Sequence, residues 1–108
     1  MTFRVILLDS ARRDVAHIYD WIAARSQSGA GRWYSAFLDA ASSLNVTHES
    51  CSVAAEDEEI GRGIRQRFFR TRRGGVYRIL FVVIDNEVRI LRIRGPGQGP
   101  VGRDEIAG

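Results

Sequence analysis

The chain has 108 residues, 44% of them hydrophobic and 27% charged, which fits one globular, soluble domain and excludes a disordered segment. No apolar run approaches the ~18 residues of a membrane helix, and the opening apolar stretch meets Asp9 too soon for a secretory signal. The formal charge is only +3, and a single cysteine, Cys51, excludes an internal disulfide and fits a reducing, cytoplasmic setting.

Phe3 to Leu8 is a short apolar run of strand formers, and it predicts a buried strand. Asp9 and Ser10 follow as candidate N-caps. From Ala11 to about Arg25 the apolar residues Ala11, Val15, Ile18, Tyr19 and Ile22 recur at helical spacing. Gln27-Ser28-Gly29 interrupts that stripe, and a second helix is expected from about Ala30 to Leu44, with Trp33, Phe37, Ala40, Ala41 and Leu44 on one side. So short a link folds the two helices into an antiparallel hairpin. Residues 45–63 show no period and carry His48, Cys51 and the acidic run Glu56 to Glu59; a gap of this length in a compact domain is usually functional or mobile.

The period then changes to two. Ile64–Arg70 predicts a strand with Arg65 and Arg67 on one face and Ile64, Gln66 and Phe68 on the other. Arg72-Arg73-Gly74-Gly75 is a hairpin turn. Val76–Ile84, the most apolar stretch, predicts the central strand; Asp85-Asn86 makes a second tight turn, and Glu87–Arg94 the last strand. Gly95-Pro96-Gly97-Gln98-Gly99-Pro100 suits neither helix nor strand, so an irregular end is expected. The architecture is α+β: an N-terminal strand, an antiparallel helical hairpin, then a three-stranded antiparallel meander in one sheet. A single domain over residues 1–101 and a short tail over 102–108 are expected.

Charge is divided unevenly along this plan. Residues 1–61 hold five arginines against nine carboxylates, while residues 62–103 hold eleven arginines against Asp85 and Glu87. So basic a second half is the footprint of a polyanion or an acidic partner. All sixteen basic residues are arginine; codon usage in a G/C-rich genome is a simpler explanation for that than a need for guanidinium forks, so only their location carries weight.

Catalytic constellations are mostly missing. His48-x-x-Cys51 has no second pair at zinc spacing, so no metal site is expected, and a loop histidine beside an incidental cysteine is the simpler reading. Acidic neighbours would raise the thiol pKa, against a nucleophile. His17 falls on the outer side of the first helix. Glu56 to Glu59 read as a solvated acidic loop, and no helix opens after Gly95 to Gly99, so they form no phosphate loop. No cofactor is implied. The arginines are the better signal. Arg65 and Arg67, with Arg78 on the adjacent strand and Arg92 and Arg94 on the last, describe a concave surface that could hold a phosphate backbone. A solvated sheet face with local ion pairs fits the same residues, since one hairpin covers one face and the other face is expected to be polar. Arg78 interrupts an apolar run, so it must pair with a carboxylate or reach the rim.

Three segments resemble the RelE/ParE superfamily of toxins from type II toxin–antitoxin systems: Ser10 to Ala23, Thr47 to Glu56 with Ile64-Arg65-Gln66, and Val76 to Phe81 with Val88 to Arg94. The resemblance spans about residues 3–101. It implies a small cytoplasmic growth inhibitor, neutralised by a cognate antitoxin in a hetero-oligomer and plasmid-stabilising in some settings. RelE-like members cleave mRNA on the ribosome; ParE-like members poison DNA gyrase without a nuclease centre. By position Arg65, Arg67 and Arg78 would be the catalytic residues of a nuclease, and together with Arg92 and Arg94 the residues that bind target or phosphate. The chain departs from the nuclease pattern after its last strand, where it has Gly95-Pro96-Gly97-Gln98 and no tyrosine follows Tyr77. Arginine is a poor proton donor or acceptor. The resemblance therefore points to the ParE-like reading, with the endoribonuclease and an inactive antitoxin-binding module as the alternatives.

Overall fold

The computed structural model describes residues 3–106. Strand β1 (Arg4–Leu7) leads into α1 (Asp9–Ala23) and α2 (Gln27–Thr47). A 3₁₀ turn, His48–Ser50, precedes β2 (Ser52–Val53) and the one-turn helix α3 (Asp57–Ile60). Strands β3 (Arg65–Phe69), β4 (Tyr77–Ile84) and β5 (Glu87–Arg94) follow, and a 3₁₀ turn spans Arg103–Glu105. All five strands form one sheet in the order β1-β5-β4-β3-β2. The apolar run at β4 takes the centre, and β3, β4 and β5 form the expected antiparallel meander. β1 joins parallel to β5, with Arg4 opposite Glu87 and Leu7 opposite Ile90.

The helical hairpin packs on one face of this sheet. Trp33, Phe37 and Leu44 of α2 and Ala11 of α1 are buried against Ile79, Phe81, Ile90 and Ile93. Trp33, Phe37, Phe69 and Tyr77 form an aromatic cluster with ring centroids 5.5 to 5.9 Å apart. α2 is longer than its apolar stripe suggested: it begins at Gln27, because the Ser26 hydroxyl accepts the Gly29 N–H at 3.0 Å and caps the first turn. Burial of Ala30 and Trp33 then offsets the helix-weakening glycines beside them. α1 opens on Leu8 at its N-cap position with no side-chain cap, so neither Asp9 nor Ser10 plays the part expected.

Residues 45–63 are more ordered than their lack of period suggested. They finish α2, add β2 to the sheet edge opposite Arg65 and Gln66, and form α3, which ends on Gly61 at φ 67°. The Asp57 carboxylate accepts the Arg62 and Ile64 N–H groups at 2.8 and 3.0 Å, closing this loop onto β3. A two-residue strand and a one-turn helix are too short to show periodicity.

The second face of the sheet overturns the expectation of a polar surface. Ala54, Ile64, Leu80, Val82, Leu91, Val101 and Ile106 form a second buried cluster there, beneath the 54–64 loop and the 101–106 segment. A bulge in β5 makes this possible. Leu80 faces Arg92 while Phe81 faces Ile90, so Leu91 is the extra residue and its side chain turns into the second cluster.

Candidate functional site

The register settles where the arginines go. Arg65 and Arg67 sit opposite Phe81 and Ile79, on the face covered by the helices, whereas Arg78 sits opposite Phe68 and Arg94 on the other face. The expected concave surface holding Arg65, Arg67, Arg78, Arg92 and Arg94 together is therefore not formed. Strand alternation is the reason: 65 and 67 share a parity, and antiparallel pairing puts 78 opposite 68.

Each group has its own surroundings. Arg65 Nη1 donates to the Glu49 and Cys51 carbonyls, both at 3.1 Å, and so satisfies the 3₁₀ turn after α2. Arg67 is half-buried beside it, and its Nε has no hydrogen-bond partner among the described residues. On the second face Arg78 makes a bidentate pair with Glu56 at 3.0 and 2.7 Å and a third bond to the Gln66 side chain at 3.0 Å. The Glu56 side chain is only 2% exposed, and its Oε2 also accepts the Val101 N–H at 3.1 Å. The Arg78 hydrogen bonds hold the Glu56 carboxyl down at about 2 despite its burial. Glu56 is thus a structural counter-ion and not part of a solvated acidic loop.

Arg92 is fixed as tightly. Its Nε and Nη2 grip the Asp14 carboxylate at 2.7 and 2.9 Å, and Nη1 donates to the Glu105 carbonyl at 3.0 Å. Asp14 Oδ2 also accepts the Ile93 N–H at 2.9 Å. β1 stops at Leu7, so this stretch of β5 has no strand neighbour on that side, and the α1 carboxylate fills its place. Arg94 pairs with Glu105 at 2.5 Å, and Arg103 donates to the Glu59 carbonyl. The cationic second face is strapped by its own chain.

His48 is buried, with Nδ1 2.8 Å from the Leu44 carbonyl and its ring against Phe3, instead of lying free in a loop. Burial raises the Cys51 thiol pKa. Among the described residues no group of three or more His, Cys, Asp or Glu is placed to hold a metal ion.

Three of the arginines without carboxylate partners gather elsewhere. A cleft of about 740 Å³ opens between the α1–α2 turn and the β3–β4 turn, and Arg32, Arg72 and Arg73 line it with Trp21, Trp33 and Tyr77. The β3–β4 turn is held close to the segment after β5, since a methyl group at Gly75 would strike Pro96 and one at Gly95 would lie 2.6 Å from Tyr77 Cε2. In the sequence Arg72 and Arg73 read only as turn residues, and Arg32 as part of a helix with no site attached; no local signal joins residues that meet only when the two turns do. A second hollow, about 530 Å³, lies on the hairpin among Leu7, Arg12, Val15, Ala16, Tyr19, Asp20 and Tyr34.

Residues 5–98 match the family described as ParE toxin of type II toxin-antitoxin system, parDE. The chain belongs to the ParE toxin family. A solved structure titled "Chromosomal ParDE TA system from P. aeruginosa" has the fold of this ParE-family chain at a TM-score of 0.65 and 18% identity, over 86% of this chain and 95% of that one. No curated protein sequence matches it. No helix among the described residues of this ParE-family protein is long and apolar enough to cross a membrane.

Proposed function

We propose that this ParE-family chain is the toxin of a cytoplasmic toxin–antitoxin pair, and that it arrests growth by binding DNA gyrase rather than by cutting RNA. The observation that carries the choice is the neutralisation of the second sheet face. A nuclease of this fold needs free guanidinium groups at the scissile phosphate and a proton donor and acceptor beside them. Arg78 and Arg92 are each held bidentate by a carboxylate of the same chain, and Arg65 is bound to backbone carbonyls. Binding to a protein target asks for none of these groups to be free.

Neutralisation is assigned to a cognate antitoxin with an acidic segment that folds on the helical hairpin. Tyr34 is exposed at the Tyr19 hollow, with Arg12 and Asp20 in its lining, and Leu38 is exposed one turn further along α2. Such a site suits an amphipathic segment with acidic residues on its flank. The strapped sheet face contributes less to that contact than its arginine count suggested.

Purified chain at micromolar concentration is expected to inhibit gyrase supercoiling, and its induction without antitoxin to stop growth with no new 5′ ends in primer extension of translated mRNA. Ribosome-dependent cleavage would reject the proposal in favour of the endoribonuclease. Normal growth after induction would leave only an antitoxin-binding module.

A further inference from the structure

From the cleft between the two turns we infer a second binding function, that of a nucleotide unit: a phosphate held by Arg32, Arg72 and Arg73 with its base against Trp21. Three observations converge on this ligand. First, Arg32, Arg72 and Arg73 are exposed, and none has a carboxylate or hydrogen-bond partner among the described residues, unlike Arg78, Arg92 and Arg94. Second, no carboxylate among the described residues lines the cleft, while the first turn of the 21-residue helix α2 does, through Ser26 and Gly29. The positive end of a helix dipole is therefore added to three guanidinium groups. Third, the walls are aromatic. Trp21 is 59% exposed, an unusual state for an indole, and Arg25 lies over its ring at 3.8 Å while donating to the Trp21 carbonyl at 2.8 Å. Trp33, almost wholly buried, forms the inner wall, and its indole N–H has no acceptor among the described residues.

The charge count separates a phosphate from a carboxylate. Among the described residues a carboxylate is met by one bidentate guanidinium fork, as Glu56 and Asp14 are, or by two arginines, as Glu105 and Glu87 are, and none by three. Three unmatched forks around one cleft suit the higher charge of a phosphate monoester or of successive phosphodiesters. An indole left in solvent beside them suits a flat base, since stacking on aromatic side chains is tolerant of base identity. A volume of about 740 Å³ is sufficient for a nucleotide. The ligand could come from a free nucleotide or from an unpaired nucleic-acid strand, and the chemistry is common to both. This function does not depend on which target the toxin inhibits.

Fluorescence polarisation of a short labelled oligothymidylate with the full chain tests it. Arg72→Ala combined with Arg73→Ala is expected to weaken binding about tenfold or more and to lower the slope of log K against log salt by about 0.7 for each phosphate no longer neutralised. Trp21→Leu is expected to weaken binding about tenfold with the salt slope unchanged. Arg13→Ala combined with Arg62→Ala, which removes the same charge from exposed positions elsewhere, should change it less than about twofold. All these sites are exposed, and unchanged melting curves show that the variants fold. Competition by AMP assigns a free nucleotide; competition by unlabelled oligothymidylate but not AMP assigns a strand. Equal loss in the cleft and control variants, no binding at all, or equal competition by an oligoglutamate of matched charge would overturn the inference, the last in favour of an acidic peptide.

Discussion

Glu56 is the residue on which the second face turns. Its carboxylate takes two hydrogen bonds from Arg78 and one from the Val101 backbone while nearly excluded from water. A group whose folded pKa lies at about 2, against an ordinary 4.5, contributes stability that is complete above about pH 5 and is lost as pH falls toward 2. Urea unfolding across that range is expected to show a loss of up to about 3 kcal/mol attributable to this group. Glu56→Gln should flatten that acid limb and lower stability at neutral pH by about 2–4 kcal/mol, because Arg78 is left half-buried without its counter-ion. Equal stability of variant and parent at pH 7 would refute the assignment. The apolar run around Arg78 announced that it needed a partner. Which carboxylate it found was not legible, since Glu56 lies 22 positions away among four consecutive acidic residues that look alike in sequence.

Among the elements, the segment after β5 shows best what pattern reading misses. Gly95 to Pro100 carries every mark of a loop, and it is one. Beyond it Val101 and Ile106 are buried in the second cluster, and Glu105 reaches Arg94. Two apolar residues five apart have no period, so nothing local reveals that they cover a sheet. Ile106→Ala is expected to lower stability by about 2 kcal/mol. Phe68→Ala, on the same face but half-exposed and outside the cluster, should cost less than about 0.5 kcal/mol. Denaturant titration of the two variants side by side checks the contrast. The long elements were legible for the opposite reason: α1, β4 and β5 each repeat their period over many residues, and their positions agree with it to within a residue or two.

At the level of the domain, helical hairpin, meander and sheet centre all followed from pattern, and the family resemblance agreed with them. The arrangement of charge did not follow. Composition places eleven arginines in one stretch, but register divides them between two faces, and long-range carboxylates from α1, the α3 loop and the C-terminal segment neutralise several. Arg72 and Arg73, with Arg32 from α2, stay unmatched and lie at two turns, which meet only through the tertiary fold. The links between the chain's ends are equally non-local: β1 pairs with β5, and Asp14 bonds to Arg92 and Ile93. A fragment ending at Asn86 keeps both helices, β3 and β4 but loses β5. It is expected to give poorly dispersed amide resonances, where the full chain gives a folded spectrum.

The parallel pairing of the first strand with the last has a bearing on synthesis. Chains emerge from the ribosome N-terminus first at roughly 5–20 residues per second, and Arg4 to Leu7 find their hydrogen-bonding neighbour only when Glu87 to Ile90 have been made. Until then the helical hairpin has no finished sheet to pack on, and a stalled translation product is not a smaller version of the toxin. Its assembly is all but post-translational, so the nascent polypeptide reaches its native form only once nearly every codon has been read.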